Sequence, residues 1–132
     1  MADLFKEKWD AFCENLKDIG SIIESESSLS ETDQAEGYRY LLRLLRLSLE
    51  MNLEHSNSST PSFYSLSHET AKIGADNPDN IYLNANIDGK QEYKVSGNIG
   101  ELNYLSFGLK ENRYSIDGTM ISLGEIDMRD MD

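Results

Sequence analysis

The chain has a single cysteine, Cys13, which excludes an intramolecular disulfide and a zinc finger built on paired cysteines. Its only two histidines, His55 and His68, are too far apart for the HExxH spacing of a metalloprotease helix. The glycine pair Gly97 and Gly100 brackets a short turn and does not form a phosphate-binding loop. The sequence therefore contains no recognisable catalytic or metal motif, and it predicts no cofactor.

Basic residues are also scarce. The chain has 12 Lys and Arg against 24 Asp and Glu, which gives a net charge of -12 at pH 7. The excess is evenly spread, because residues 1–66 and 67–132 each carry 6 basic and 12 acidic residues. Such a surface repels phosphate backbones and anionic lipid head groups, so we expect neither nucleic-acid nor membrane partners.

Long hydrophobic runs are absent from the sequence. The most apolar stretch, residues 38–49, is interrupted by three arginines, so we expect no segment to span a bilayer. The first residues include acids where a signal peptide carries basic residues, and no apolar segment follows them. Together with the lone cysteine, these features predict a cytoplasmic protein.

What the first half does contain is helical periodicity. Residues 3–24 repeat apolar side chains every three or four positions, which is the spacing of one stripe on a helix. Ser30 and the acids that follow it suit the N-terminus of a second helix from about residue 31 to about residue 54. This second helix carries two adjacent apolar faces, so we expect it to be covered on more than one side. The stripe of the first helix consists of Phe5, Trp9, Phe12, Leu16, Ile19 and Ile23.

From residue 81 the apolar period changes to two, the period of a half-buried strand. Residues 81–87 and 93–95 both alternate in this way. A three-residue turn at 87–89, with Gly89 in the left-handed conformation, places their apolar sets on one face of a hairpin.

Three further reversals are predicted after this hairpin, at residues 97–100, from residue 111 to residue 113, and at residues 117–118. A third strand is expected over residues 105–109. A two-residue turn at Asp117 and Gly118 would then pair Tyr114 with Ile121.

The sequence thus predicts an α+β fold in which two N-terminal helices pack on an antiparallel sheet of four to five strands. We expect a single domain over residues 1–132, with a helical part at 1–55, a loop and turn at 56–80, and the sheet at 81–132. A sheet this short has open edges, and the second helix has more apolar surface than one small sheet can cover. Both features predict self-association, most simply as a homodimer.

A proline turn followed by strand-like residues carries a family resemblance. The residues that carry it are 40–46 in the helical lead-in, then 76–82, 87–89, Tyr93, Gly97, Gly100 and 104–107. On these residues, the chain resembles proteins with the domain of unknown function 1214 over roughly residues 37–110. The resemblance implies a jelly-roll-like architecture, of which this chain is similar to a short or truncated version, and it implies no assigned chemistry.

Three arginines on the second helix form the first candidate site. Arg39, Arg43 and Arg46 lie four and three residues apart, so they share one side of the helix. Guanidinium groups placed in this way could hold a small anionic ligand by paired hydrogen bonds. Arginines on a helix surface more commonly form ion pairs with neighbouring acidic side chains.

The turn at residues 76–80 forms the second candidate site. Asp76, Asp79 and Asn80 offer oxygen atoms to a ligand or a hard cation, although Asn and Asp are also ordinary turn residues. The sequence favours a non-enzymatic oligomeric binding or assembly module. The alternative is an enzyme, or part of one, that acts on a small anionic or polar substrate near the arginines. A pocket that joins them to His68 or to this turn would favour the enzyme.

Overall fold

The computed structural model describes residues 2–26, 28–74 and 77–131. The chain divides into two compact units, Met1–Glu92 and Tyr93–Asp132. The first unit contains the helices and the second contains a β-hairpin. Within the described ranges, no helix combines the length and the apolar character needed to cross a membrane.

The elements in chain order are α1 (Ala2–Ser25), α2 (Glu31–Leu49), a π-helical turn (Glu50–Glu54), β1 (Ser106–Arg113), β2 (Thr119–Asp127) and a 3-10 turn (Met128–Asp130).

Both helices lie where the apolar periodicity predicts them. The start of α2 is stabilised by a capping box, in which the Ser30 hydroxyl accepts a hydrogen bond from the Asp33 backbone N–H at 3.2 Å. The Asp33 carboxylate in turn accepts from the Ser30 hydroxyl and the Ser30 backbone N–H. These hydrogen bonds hold the pKa of Asp33 below its usual range.

The two helices meet at Gly37 and through a hydrogen bond between the side chains of Tyr38 and Glu24. Gly37 on α2 lies against Ile23 on α1, and a Cβ added at Gly37 would come within 3.1 Å of the isoleucine Cγ2. Tyr38 donates a hydrogen bond from its hydroxyl to the Glu24 carboxylate at 2.6 Å. That bond, with burial as a lesser cause, raises the pKa of Tyr38.

The prediction of a sheet of four to five strands is wrong. The described residues form one antiparallel sheet of two strands, β1 and β2, so the fold is α+β with a small sheet. The expected first hairpin is missing, because residues 81–87 and 93–95 form no strand, and the one bridge there joins Asn84 to Tyr64. Ile81, expected on the covered face, is 88% exposed. Gly89 does not adopt the left-handed conformation that the predicted turn required.

The physical reason is that alternation predicts a strand only where a partner strand is available. Backbone N–H and C=O groups of an extended segment need a neighbour for their hydrogen bonds. Within the described ranges, Asn84 is the residue of segment 81–87 that finds such a neighbour, through two backbone hydrogen bonds to Tyr64 of 2.8 and 2.9 Å.

A second hairpin forms, but its first strand runs straight through residues 111–113, where the sequence predicts a reversal, and its turn is different. β1 ends at Arg113, which pairs with Thr119, so residues 114–118 make a five-residue loop in place of the predicted two-residue turn. Tyr114 therefore lies in the loop and does not pair with Ile121. The Arg113 guanidinium closes the loop by an ion pair to Asp117 at 2.8 Å.

The burial of apolar side chains is slight. Among the described residues, the buried hydrophobic ones are Leu47, Tyr64 and Ala71, whereas twenty-seven large hydrophobic side chains are exposed. The chain exposes 11231 Å² of surface. Two separate compact units of these sizes would together expose about 8,000 Å². Roughly 3,000 Å² of surface is therefore exposed beyond what self-contained units of this mass leave in water.

Candidate functional site

Four side chains form a closed ring of contacts at the end of α2. Arg46 donates from Nε to Glu50 Oε1 at 2.8 Å, and Glu50 Oε2 lies 3.2 Å from His68 Nε2. Thr70 Oγ1 lies 3.3 Å from His68 Nδ1 and accepts from Arg46 at 3.2 Å. Two of the predicted site residues, Arg46 and His68, are thus brought together.

The elements around the ring explain its position. Arg46 and Glu50 are four residues apart, one helical turn, so both side chains reach the same side of α2. His68 is held by a short bridge in which its backbone exchanges hydrogen bonds with that of the fully buried Ala71. The ring therefore ties the end of α2 to the segment at residues 68–71.

The ring is partly open to solvent, since the side chains of Glu50 and His68 are about one third exposed. Hydrogen bonds from Arg46, and secondly from His68, hold the pKa of Glu50 below its usual range. The carboxylate therefore stays ionised at neutral pH and uses both oxygens within the ring. Such a group is suited to holding two segments together.

The other two arginines do not join the ring. Arg39 is exposed and pairs with Glu36 at 3.3 Å, as a surface ion pair on one helix. Arg43 is half-buried and makes no ion pair with any residue that the structure describes. The three arginines therefore do not converge on one ligand position.

The turn at residues 76–80 is organised by Asn77. Its side-chain oxygen accepts a hydrogen bond from the Asp79 backbone N–H at 3.0 Å, the local bond expected of an Asn turn. Asp79 and Asn80 are exposed, and Asp76 lies outside the described residues. Across the described ranges, no group of three His, Cys, Asp or Glu side chains could hold a metal ion.

A residue that sequence reasoning missed is Asn86. Its amide nitrogen donates to the backbone carbonyls of His55 at 2.8 Å and Met51 at 3.4 Å, so it caps the π-helical end of α2. The His55 ring stacks on Tyr64, with centroids 4.5 Å apart and planes 13° from parallel. The sequence interpretation placed Asn86 on the polar face of a strand, and no local motif indicates its long-range contact.

The helical unit also presents an uncovered apolar surface. Towards the C-terminal end of the α1 stripe, Leu16 and Ile23 are half-buried, whereas Ile19 between them is exposed. The N-terminal end of the stripe is open, with Phe5 71% and Trp9 64% exposed. The Trp9 and Phe12 rings lie 5.9 Å apart and form an aromatic patch there. Cys13, next to Phe12 in the sequence, is also exposed.

Two open grooves continue the apolar surface. One, of about 490 Å³, runs between α1 and α2 and includes Leu16, Tyr38 and Leu42. The other, of about 310 Å³, follows α2 past Leu49 and Leu53. Most of the surface of both grooves is apolar, and Leu42 and Leu45 line both of them.

A solved structure resembles the chain closely. It is the crystal structure of an uncharacterised protein from Burkholderia cenocepacia, which is 45% identical and matches with a TM-score of 0.86 over 98% of this chain. This chain spans 36% of the length of that protein. Neither a protein-family model nor a curated protein matches the chain.

Proposed function

We propose that the chain is a non-enzymatic assembly module of the cytoplasm that works as a homodimer. The observation that carries this proposal is the uncovered aromatic end of the α1 stripe, formed by Phe5, Trp9 and Phe12. Exposed apolar patches of this kind mark protein interfaces. Trp is also among the residues that contribute most to the free energy of association.

The exposed area supports the same proposal. A standard interface buries about 800 Å² on each partner. The surplus surface of roughly 3,000 Å² is more than enough for such an interface. A second copy of the chain is the simplest partner, because a two-fold axis places the same apolar stripe on both sides of the contact.

The test is a comparison of Trp9→Gln with the unmodified chain by light scattering and sedimentation equilibrium. We expect the dissociation constant of the dimer to rise at least about tenfold in the variant, because each copy loses a central apolar contact. The helix itself should be retained, since Trp9 is exposed within one chain.

Ala11→Gln is the matched control. Ala11 is exposed and lies off the stripe on the same helix, so the substitution introduces the same side chain without removing apolar contact area. We expect it to leave the dissociation constant unchanged. An unmodified chain that is monomeric at concentrations of about 100 μM would refute the homodimer, since stable interfaces of standard size bind far more tightly.

The ring brings Arg46 near His68, as the enzyme alternative requires, but Arg39 and Arg43 do not join it. Arg46 is occupied by Glu50 and Thr70, and Arg39 pairs with Glu36. An anionic ligand would have to displace these contacts, so the anion site near the arginines stays a prediction. The relation to the domain of unknown function 1214 is likewise a prediction.

A further inference from the structure

We propose that each copy of the homodimer inserts the aromatic end of its α1 into an apolar groove along α2 of the other copy. We call this surface the α2 groove; it is the groove of about 310 Å³ that follows α2 past Leu49 and Leu53. The inference rests on the proposed homodimer, and it names both halves of the contact. The apolar lining of the α2 groove consists of Leu42, Leu45, Leu49 and Leu53.

The contacts between α1 and α2 lie near the connection between the two helices. Ile23 of α1 packs against Gly37 of α2, and the Glu24 carboxylate accepts the hydrogen bond from Tyr38. Helices joined by so short a connection run antiparallel. The start of α1 and the end of α2 therefore belong to the same end of the helix pair.

At this end, the apolar side chains of the two helices do not cover each other. Phe5 and Trp9 of α1 are mostly exposed, and so is Leu53 of α2, at 67%. All three belong to the unit Met1–Glu92. The helix pair thus presents an aromatic stripe on one helix and an aliphatic groove on the other.

The aromatic stripe has the spacing of a helix that binds in a groove. Such helices present apolar anchors one and two turns apart, at positions i, i+4 and i+7. Phe5, Trp9 and Phe12 occupy these positions. Their rings are large and rigid, which suits them to a wall of leucine side chains.

The stripe is bordered by basic residues. Lys8 lies three residues after Phe5 and four before Phe12, so it is a neighbour of both on the helix surface. Lys6 lies on the other border and pairs with Asp10. Lys8 is exposed and makes no ion pair with any residue that the structure describes. The acids of this segment lie away from the stripe, at Asp3, Glu7, Asp10 and Glu14.

The end of the α2 groove is acidic. Glu50 and Glu54 both line it, and Arg46 pairs with Glu50. Glu54 is exposed, and among the described residues it has no ion-pair partner. Lys8 of a second copy would supply the missing charge, and such pairs at the border of an interface fix its register. This match of a basic border to an acidic groove is the reason to assign the groove to a second copy.

The first experiment replaces a residue of the groove. Leu53→Gln should raise the dissociation constant of the dimer at least about tenfold in sedimentation equilibrium, because the aromatic stripe loses part of the wall it contacts. Ser48→Gln is the matched control. Ser48 is exposed on α2 and does not line the groove, so the same new side chain should leave the dissociation constant unchanged.

The second experiment mixes Trp9→Gln with Leu53→Gln. A two-fold axis makes the contact between stripe and groove twice in each dimer. In a mixed dimer both substitutions fall in one of these contacts, and the other contact is unmodified. We therefore expect the mixed dimer to bind at least about threefold more tightly than either variant binds itself. The measurement is fluorescence anisotropy with one variant labelled at its C-terminus.

Charge reversal at the border is a third test, and it decides if Leu53→Gln does not fold. Lys8→Glu should raise the dissociation constant about threefold, and so should Glu54→Lys, although Glu54→Lys lowers the net negative charge. The chain that carries both substitutions should regain the original dissociation constant, because the pair is restored with its signs exchanged.

The outcomes separate this inference from the homodimer. A dimer that is weakened by Trp9→Gln but not by Leu53→Gln would refute the α2 groove and leave the homodimer in place. A mixed dimer no tighter than the Leu53→Gln dimer would mean that stripe meets stripe, which also refutes the groove. If Leu53→Gln lowers the melting temperature without changing the dissociation constant, the groove is covered within one copy and the inference is wrong.

Discussion

Glu50 is the residue at which the end of α2 is joined to the segment that follows it. Each of its carboxylate oxygens has a separate partner, Arg46 for Oε1 and His68 for Oε2. A carboxylate that accepts hydrogen bonds in the folded state titrates at lower pH than it does in the unfolded chain. Its contribution to stability is therefore linked to pH.

The substitution Glu50→Gln should lower the free energy of unfolding at about pH 7, because the neutral amide loses the ion pair with Arg46. The folded-state pKa of Glu50 lies below its usual range. Its contribution is therefore complete above the ordinary carboxyl pKa and is lost as the pH falls through the folded-state value. The urea midpoints of variant and unmodified chain should differ at about pH 7, and the difference should shrink once the pH falls below the ordinary glutamate pKa of about 4.3.

Glu54→Gln is the control for this measurement, since it removes an exposed carboxylate from the same π-helical turn. We expect its difference from the unmodified chain to be small at both pH values. A Glu50→Gln difference that persists at low pH would show that the substitution acts through packing and not through the ionised carboxylate.

At the scale of elements, the helices were predictable because their signals are local. The periodicity of α1 and the contact of the Ser30 cap with Asp33 both lie within a few residues, so spacing alone predicts these helices. A strand depends on a partner that can be far away in the sequence. The alternation at 81–87 therefore predicted a strand that does not form, while the alternation at 105–109 belongs to one that does.

The loop of the hairpin supplies a test at this scale. Gly118 has a φ of 74°, in the left-handed region that side chains disfavour, and no atom lies within 4 Å of an added Cβ. Gly118→Ala should therefore destabilise the hairpin by about 1 kcal/mol through backbone strain alone. The measurement is hydrogen exchange of residues 106–127 in each variant.

Gly124→Ala is the matched control, because Gly124 lies in β2 at negative φ with equally open surroundings. We expect this substitution to be neutral or slightly stabilising, since alanine restricts the unfolded chain. Equal effects of the two alanines would contradict the assignment of strain to Gly118.

At the scale of the whole molecule, the candidate site could be predicted only in its components. Arg46 and His68 were singled out from composition and spacing, but their contact passes through Glu50 and Thr70, which lie on separate segments. Asn86 carried no signal at all, because its partners are backbone carbonyls over thirty residues away. Contacts between distant segments are set by tertiary packing, which a single sequence does not display.

The charge of the whole molecule sets the last expectation. Each copy carries a net charge of -12, so in the proposed homodimer the two copies would repel each other while their apolar stripes attract. Salt screens this repulsion, since the Debye length falls from about 10 Å at about 0.1 M to about 3 Å at about 1 M. Apolar contacts are not weakened by the same change.

We therefore expect the homodimer to tighten with salt. Its dissociation constant should fall several-fold between about 0.05 and about 0.5 M NaCl, as measured by sedimentation equilibrium. The Trp9→Gln variant should show the same relative response from a weaker starting point, because the substitution leaves the charge unchanged. A dissociation constant that rises with salt would mean that ion pairs hold the copies together, and it would remove the α1 stripe as the main source of affinity.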